Sequence, residues 1–289
     1  MNKILSLLMK WRIHPLFWLV AAIAIATGRF YELAIVFLII IVHEMGHFLV
    51  ATHFKWRIKK VQLLPFGGVL VVEESGNRPW QEEWWVTVAG PLQQIWLAFV
   101  MWGLAIVGIL PDSLFAFFVQ ANIMIAFFNL LPIYPLDGGK LILLLCNVAQ
   151  PFLEGYKRTL LLSFVTLSLF ALFTLFVAPT HLNGWVVILY LYFILSYQYK
   201  HRHYTFQRFL MDRYYGQHDI GRKIVPLKVD IEETVLQVSQ RFSRGVKHAV
   251  IVIEDGVEVV TLDENEILHS MFTEKRPKVT LRELVYFYE

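Results

Sequence analysis

The sequence predicts a polytopic α-helical membrane protein with about six transmembrane helices, a membrane-associated β-hairpin and a small soluble α+β domain at the C-terminal end. Three observations carry this reading. The 289 residues are 57% hydrophobic with a mean hydropathy of +0.53, which places the chain in the membrane class. Apolar runs of membrane length recur up to Tyr199. Beyond that point the runs stop and the pattern becomes that of a soluble unit. The single cysteine, Cys146, excludes an internal disulfide and reads as a small buried apolar residue. The net charge of +3 is small, and no nucleic-acid partner is expected.

The spans are read as 14–30, 33–54, 84–110, 113–146 (broken), 158–178 and 182–199. The first has a competing reading as a signal peptide, because Lys3, Lys10 and Arg12 precede an apolar run with Ala22-Ile23-Ala24 after it. Loop charges favour retention as a helix. Lys55, Arg57, Lys59, Lys60 and Arg78 lie in the second connection, Lys140, Lys157 and Arg158 in the fourth, and Lys200 and Arg202 open the tail. The opposite side has only Arg29. Positive charge marks the cytoplasmic side, so both termini are expected there. Trp80, Trp84 and Trp85 cluster where the third span enters the interface. The expected organisation is a transmembrane domain over 1–199, a basic and aromatic juxtamembrane linker or surface helix over 200–221, and a small α+β domain over 222–289, for which the resemblance given below implies a regulatory role.

Between the second and third spans, Ile58 to Glu74 holds two β-rich runs around Pro65-Phe66-Gly67-Gly68, a hairpin signal. It reads either as a surface hairpin or as an edge strand, with Val69, Leu70 and Val71, that pairs with an extended peptide.

The second span carries His43-Glu44-Met45-Gly46-His47 where hydrocarbon is expected. An acidic side chain at the centre of a bilayer costs roughly 2.5–3.5 kcal/mol on insertion scales, so it needs a partner or a task. In a helix, residues i and i+4 share a face, and both imidazoles can reach one metal. Asp137 is the other carboxylate at membrane depth, in the run Asn129-Leu-Leu-Pro132-Ile-Tyr-Pro135-Leu-Asp137-Gly138-Gly139-Lys140. Prolines break the helix there, and membranes tolerate that only where protein or a wet cavity satisfies the backbone. Two histidines and a carboxylate with a fourth position open is the donor set of a hydrolytic zinc site. The expected site is His43, His47 and Asp137 on one Zn²⁺ per chain, with Glu44 as general base toward a peptide carbonyl. Asn129 and Pro135 are candidates for contact with the substrate. Gly90-Pro91 reads as a kink or close-packing point, Asp137 on its own as a turn residue, and His53 as an interface residue.

The tail reads as strand Ile224–Val229, helix Ile231–Arg244, strand Ala249–Ile253, an Asp255-Gly256 turn, strand Val257–Leu262 and helix Glu264–Phe272. A unit this short has a modest core, and docking or self-pairing is expected.

HEMGH in one span with NLLPIYPLDGG in a later one resembles the site-2 protease family of intramembrane metalloproteases. AGPLQQ resembles that family's third conserved stretch, with Gln94 where the family often has Asn. The likeness covers most of residues 14–199 and implies the same zinc ligands and base, and cleavage of membrane-tethered, often regulatory, proteins. The tail resembles a single cystathionine-β-synthase-type (CBS) domain, which implies pairing into a homo-oligomer and binding of ATP; a dimerisation or docking module is the alternative. Similarity to a sporulation member of the CBS-bearing branch implies three further expectations. The substrate is the membrane-associated precursor of a late sigma factor, the partners are inhibitory membrane proteins, and the location is the mother-cell side of the forespore outer membrane. The competing function is a transporter or channel with a CBS-type tail, which the broken fourth span suits but which lacks an internal repeat. A zincin with a downstream Glu ligand finds no such Glu in a later span, and a silent binding protein has no use for Glu44.

Overall fold

The computed structural model describes residues 11–13, 15–64, 67–72, 77–180, 182–216 and 223–287. Lys3, Lys10, Pro65, Phe66, Glu74 and the end of the 200–221 linker, all used above, lie outside the described residues. The chain forms two compact units.

The first unit takes in residues up to 73, 81–132 and 136–141. It contains β1 (Trp11–Ile13), α1 (Pro15–Ala26), α2 (Phe30–His53), β2 (Ile58–Leu64) and β3 (Gly67–Val72). Most of α3 (Trp80–Ile106), all of α4 (Asp112–Leu130) and the first turn of α5 (Asp137–Ala149) complete it. The helix α2 is its centre. Ile35, Ile39, His43, His47 and Ala51 recur every fourth residue and are buried, while Leu38 and Leu49 face outward. Ile35 and Ile39 pack with Leu97 and Met101 of α3 and Phe118 and Ala121 of α4. Phe48 and Ala51 form a second cluster with Ile58 and Val86.

The expected hairpin is present, antiparallel, with Val61 opposite Leu70 and Gln62 opposite Val69. A strand not expected from the sequence, β1, pairs parallel to β2 through Trp11–Ile13. Among the described residues the sheet order β1-β2-β3 leaves β3 as an edge, and β2 and β3 lie against α2.

Among the described residues, four helices are long and apolar enough to cross a membrane, α2, α3, α4 and the helix α6 (Phe152–Val177) of the second unit. Of the six expected spans, 14–30 and 182–199 are not among these four, and the fourth is broken as expected. The helix α1 has 12 residues, about 18 Å at 1.5 Å per residue, short of a hydrocarbon core of roughly 30 Å. The broken fourth span is two helices, with the chain leaving helix over 131–136. Trp80, Trp84 and Trp85 are exposed in the first turns of α3, as an interfacial belt requires.

The second unit takes in residues 74–80, 133–135 and 142–289. It contains the rest of α5, then α6, α7 (Leu182–Lys200), α8 (Arg202–Tyr215), β4 (Ile224–Asp230), α9 (Val235–Ser239), β5 (Lys247–Glu254), β6 (Val257–Asp263), α10 (Glu264–Phe272) and α11 (Leu281–Phe287). The small sheet has the order β4-β5-β6, parallel then antiparallel. Asp255 and Gly256 both take positive φ, 49° and 83°, as the two-residue hairpin predicts. The expected helix over Ile231–Arg244 shortens to α9. A capping box of Thr234 and Gln237 starts it. The residues that suggested a helix, Val235, Val238 and Phe242, are all buried, but Phe242 lies past the helix end.

The juxtamembrane segment departs from its reading as a linker or surface helix. In α8, Phe206, Phe209, Leu210 and Arg213 are buried, and the first three join the core of the tail with Phe152 and Leu153 of α6. Phe152 and Phe209 stack at 4.2 Å, and Phe152 N–H donates to Phe242 O at 3.1 Å. Arg213 then donates to Ser243 O, Val246 O and the Glu264 carboxylate, and Glu264 also accepts from His248 N–H. Burial pulls the Arg213 guanidinium below its usual pKa, and Glu264 opposes the shift. Removing one partner of such a pair leaves a buried charge uncompensated, at about 3–5 kcal/mol. Glu264→Leu is therefore expected to lower the thermal midpoint of the full-length protein and expose the tail to protease. Adding Arg213→Met is expected to recover part of the loss.

Candidate metal centre

His43 and His47 lie one turn apart on α2 with ring centroids 4.8 Å apart, edge to face. Their Nε2 atoms are separated by 3.1 Å. Asp137 opens α5 immediately after the break, where the helix N-terminus favours a negative charge. Its Oδ2 lies 3.0 Å from Nε2 of His43 and 3.1 Å from Nε2 of His47. The three residues and Glu44 are each no more than 4% exposed. The Glu44 carboxylate lies within 4.8 Å of the ligating nitrogens of both histidines.

The hydrogen bonding around this triangle decides what belongs in it. Nδ1 of His47 lies 2.7 Å from Val86 O. A carbonyl oxygen only accepts, so Nδ1 carries the proton. The neutral ring then has its lone pair on Nε2, aimed at the other two atoms. Oδ2 of Asp137 is buried without a hydrogen-bond donor. The lone pair of His47 Nε2 and Oδ2 of Asp137, both electron-rich and 3.1 Å apart, repel unless they share a cation. Zinc bonds of about 2.0–2.2 Å to nitrogen and oxygen span such a triangle and leave a fourth position free. The residues present fit the ion, and the orientation of His47 by a backbone carbonyl is the usual companion of a metal ligand.

Glycines set the approach of the surrounding helices. A Cβ on Gly90 would lie 2.8 Å from Cε1 of His43 and closer still to the His47 ring. Gly90-Pro91, read as a packing point, is thus where α3 presses on the imidazoles, and α3 continues through Pro91. A Cβ on Gly46 would meet Ala89 O and, at 2.7 Å, Cγ of Gln93. A Cβ on Gly138 would run into the carbonyl oxygens of Leu130 and Leu131, so the first glycine of the pair lets α5 start against the end of α4.

Lys140, counted above only as a loop charge, donates to Oδ1 of Asp137 at 2.9 Å. Its i+3 spacing from Asp137 was the available signal; the role of Val86, a backbone carbonyl, leaves none. Asn129 sits half-buried in the last turn of α4, and Pro135 lies in the 131–136 connection after a cis peptide bond. Val69, Leu70 and Val71 lie on β3. None of these five is part of the triangle. His53 ends α2 against Phe54, as an ordinary helix-end contact.

The model of peptidase family M50 matches residues 31–111 and 107–173. The stage IV sporulation protein FB of Bacillus subtilis is 44% identical over 288 residues, covering 100% of both chains. A zinc metalloprotease of Methanocaldococcus jannaschii is 28% identical over 133 residues, 43% of this chain and 36% of that one. The solved site-2 protease from Methanocaldococcus jannaschii shares the fold, with a TM-score of 0.51 at 24% identity over 64% of this chain and 88% of that one. These matches decide between hydrolase and transporter in favour of the hydrolase. With a His/Glu/His cluster suited to zinc within the matched residues, the chain belongs to peptidase family M50, as a zinc-dependent metalloendopeptidase of the site-2 protease type.

Proposed function

We propose that His43, His47 and Asp137 hold one zinc ion, that Glu44 is the general base, and that the substrate is a membrane-tethered precursor cut near the cytoplasmic face. The observation that carries this reading is the triangle of Nε2, Nε2 and Oδ2 at 3.0–3.1 Å within a membrane-length helix bundle. When bound, zinc supplies Lewis acidity to a water and to the scissile carbonyl. Glu44, next to His43 and outside the triangle, takes the proton of the attacking water and returns it to the leaving amine. Val86 O fixes the tautomer of His47 so that the lone pair on Nε2 is available to a metal ion. The low exposure of all four side chains keeps bulk water from competing and strengthens every charge interaction inside.

A helical substrate must become extended before its carbonyl can be attacked. Strand β3 is an edge strand and lies against the helix that carries the histidines. Its backbone at Val69, Leu70 and Val71 is suited to pair with an unwound segment. Asn129 and Pro135 are assigned to substrate contact on the sequence motif alone. The relative in Bacillus subtilis is a sporulation protein, and the resemblance stated above makes the sigma factor precursor of late sporulation the proposed substrate, restrained by inhibitory membrane proteins. The Lys and Arg bias of the loops supports cytoplasmic termini. The tail is proposed as a CBS-like regulatory module over 222–289 that pairs with a second copy or senses ATP.

Glu44→Gln is expected to lower cleavage of a co-expressed tethered substrate by about 10²–10⁴-fold with one zinc per chain retained by elemental analysis; wild-type turnover in that variant would end the reading. Asp137→Ala is expected to lower metal content and cleavage together. Proline at Val69 or Val71 is expected to lower cleavage with zinc unchanged, and full activity of both variants would return the strand to a scaffold role.

A further inference from the structure

Asp137 presents two oxygens to two different environments. Oδ2 faces the imidazoles at 3.0 and 3.1 Å. Oδ1 is held by the Lys140 ammonium at 2.9 Å. Both residues sit on the first turn of α5, three apart and on one face. Lys140 N–H donates to Leu136 O at 2.9 Å, so ordered helix fixes the spacing between the two side chains. An ammonium has three donors and no lone pair. It cannot ligate a cation, and its charge opposes one, so its presence does not serve to tighten metal binding. What it does to Asp137 is occupy one oxygen.

Carboxylates ligate metals through one oxygen or through two. A hydrolytic zinc site needs three donors from the chain and a fourth position for water. We propose that Lys140 is a positioning residue that confines Asp137 to ligation through Oδ2 alone and thereby keeps the fourth position free. The inference rests on the reading of Asp137 as a ligand. Without the ammonium, Oδ1 is free to turn toward the ion and take the place that water requires.

The test uses the full-length protein loaded with Co²⁺ in place of zinc, comparing Lys140→Met and Lys140→Arg with the unaltered chain. All three are expected to bind one Co²⁺ per chain. Lys140→Met is expected to show a d–d spectrum altered from that of the unaltered chain, because a second carboxylate oxygen replaces the water, and roughly 10–100-fold lower cleavage in its zinc form, the range for groups that orient a metal ligand. Lys140→Arg is expected to keep both the spectrum and the activity, because a guanidinium also holds a carboxylate oxygen. An unaltered spectrum in Lys140→Met, or loss of its metal, overturns the proposal. Asp137→Ala measured alongside separates the two readings. Full metal content and an unaltered spectrum there remove Asp137 from the ligand set, whereas metal loss there with no spectral change in Lys140→Met removes only the role given to Lys140.

Discussion

The Nε2 atoms of His43 and His47 and Oδ2 of Asp137 converge at one point inside a helix bundle of membrane length, and the first unit is arranged around that convergence. His43, His47 and Asp137 are each buried, and a carboxylate so placed is costly unless charge of the opposite sign meets it. The Lys140 ammonium on Oδ1 supplies part of that charge, and a cation held at Oδ2 as proposed above would supply the rest. The features that look like defects in a membrane helix are the means of reaching this geometry. The break over 131–136 turns the chain so that Asp137 starts a new helix. Gly138 lets that helix begin against the carbonyls of Leu130 and Leu131, and Gly90 lets α3 reach the imidazole rings.

The tail is joined to its membrane helices through shared core and not through a string of linker. Phe152 and Leu153 at the start of α6 and three residues of α8 pack into the same cluster as Val235, Phe242, Val250 and Ile267. Arg213 ties α8 to Glu264 in that core. Anything that alters the packing of the tail therefore acts directly on the ends of α6 and α8. A flexible tether would transmit no such strain.

The sequence made the chemistry legible because HExxH on a helix and a carboxylate at a proline break are each rare inside an apolar run. The hairpin, its Asp255-Gly256 counterpart in the tail and the helix Glu264–Phe272 were readable because turn chemistry and caps act locally. The failures have the opposite cause. Hydropathy cannot separate a 12-residue helix followed by Gly28 from a full span when apolar residues continue on both sides. Trp11–Ile13 became a strand only because β2 offered a partner edge. The α8 segment, basic and aromatic, read as a surface helix because its buried face, Phe206, Phe209, Leu210 and Arg213, finds its partner far along the chain.

Residue types and their spacing alone determined the class of protein, singled out the four polar side chains proposed for the chemistry and marked the place where the helix must break, since each follows from periodicity or from the cost of a polar group in hydrocarbon. Which atoms meet was decided only by tertiary structure. Val86 O on His47, Gly90 against the rings and Lys140 on Oδ1 of Asp137 are contacts that depend on how α2, α3 and α5 approach one another, and a distance between helices is a property of their packing that no local pattern encodes.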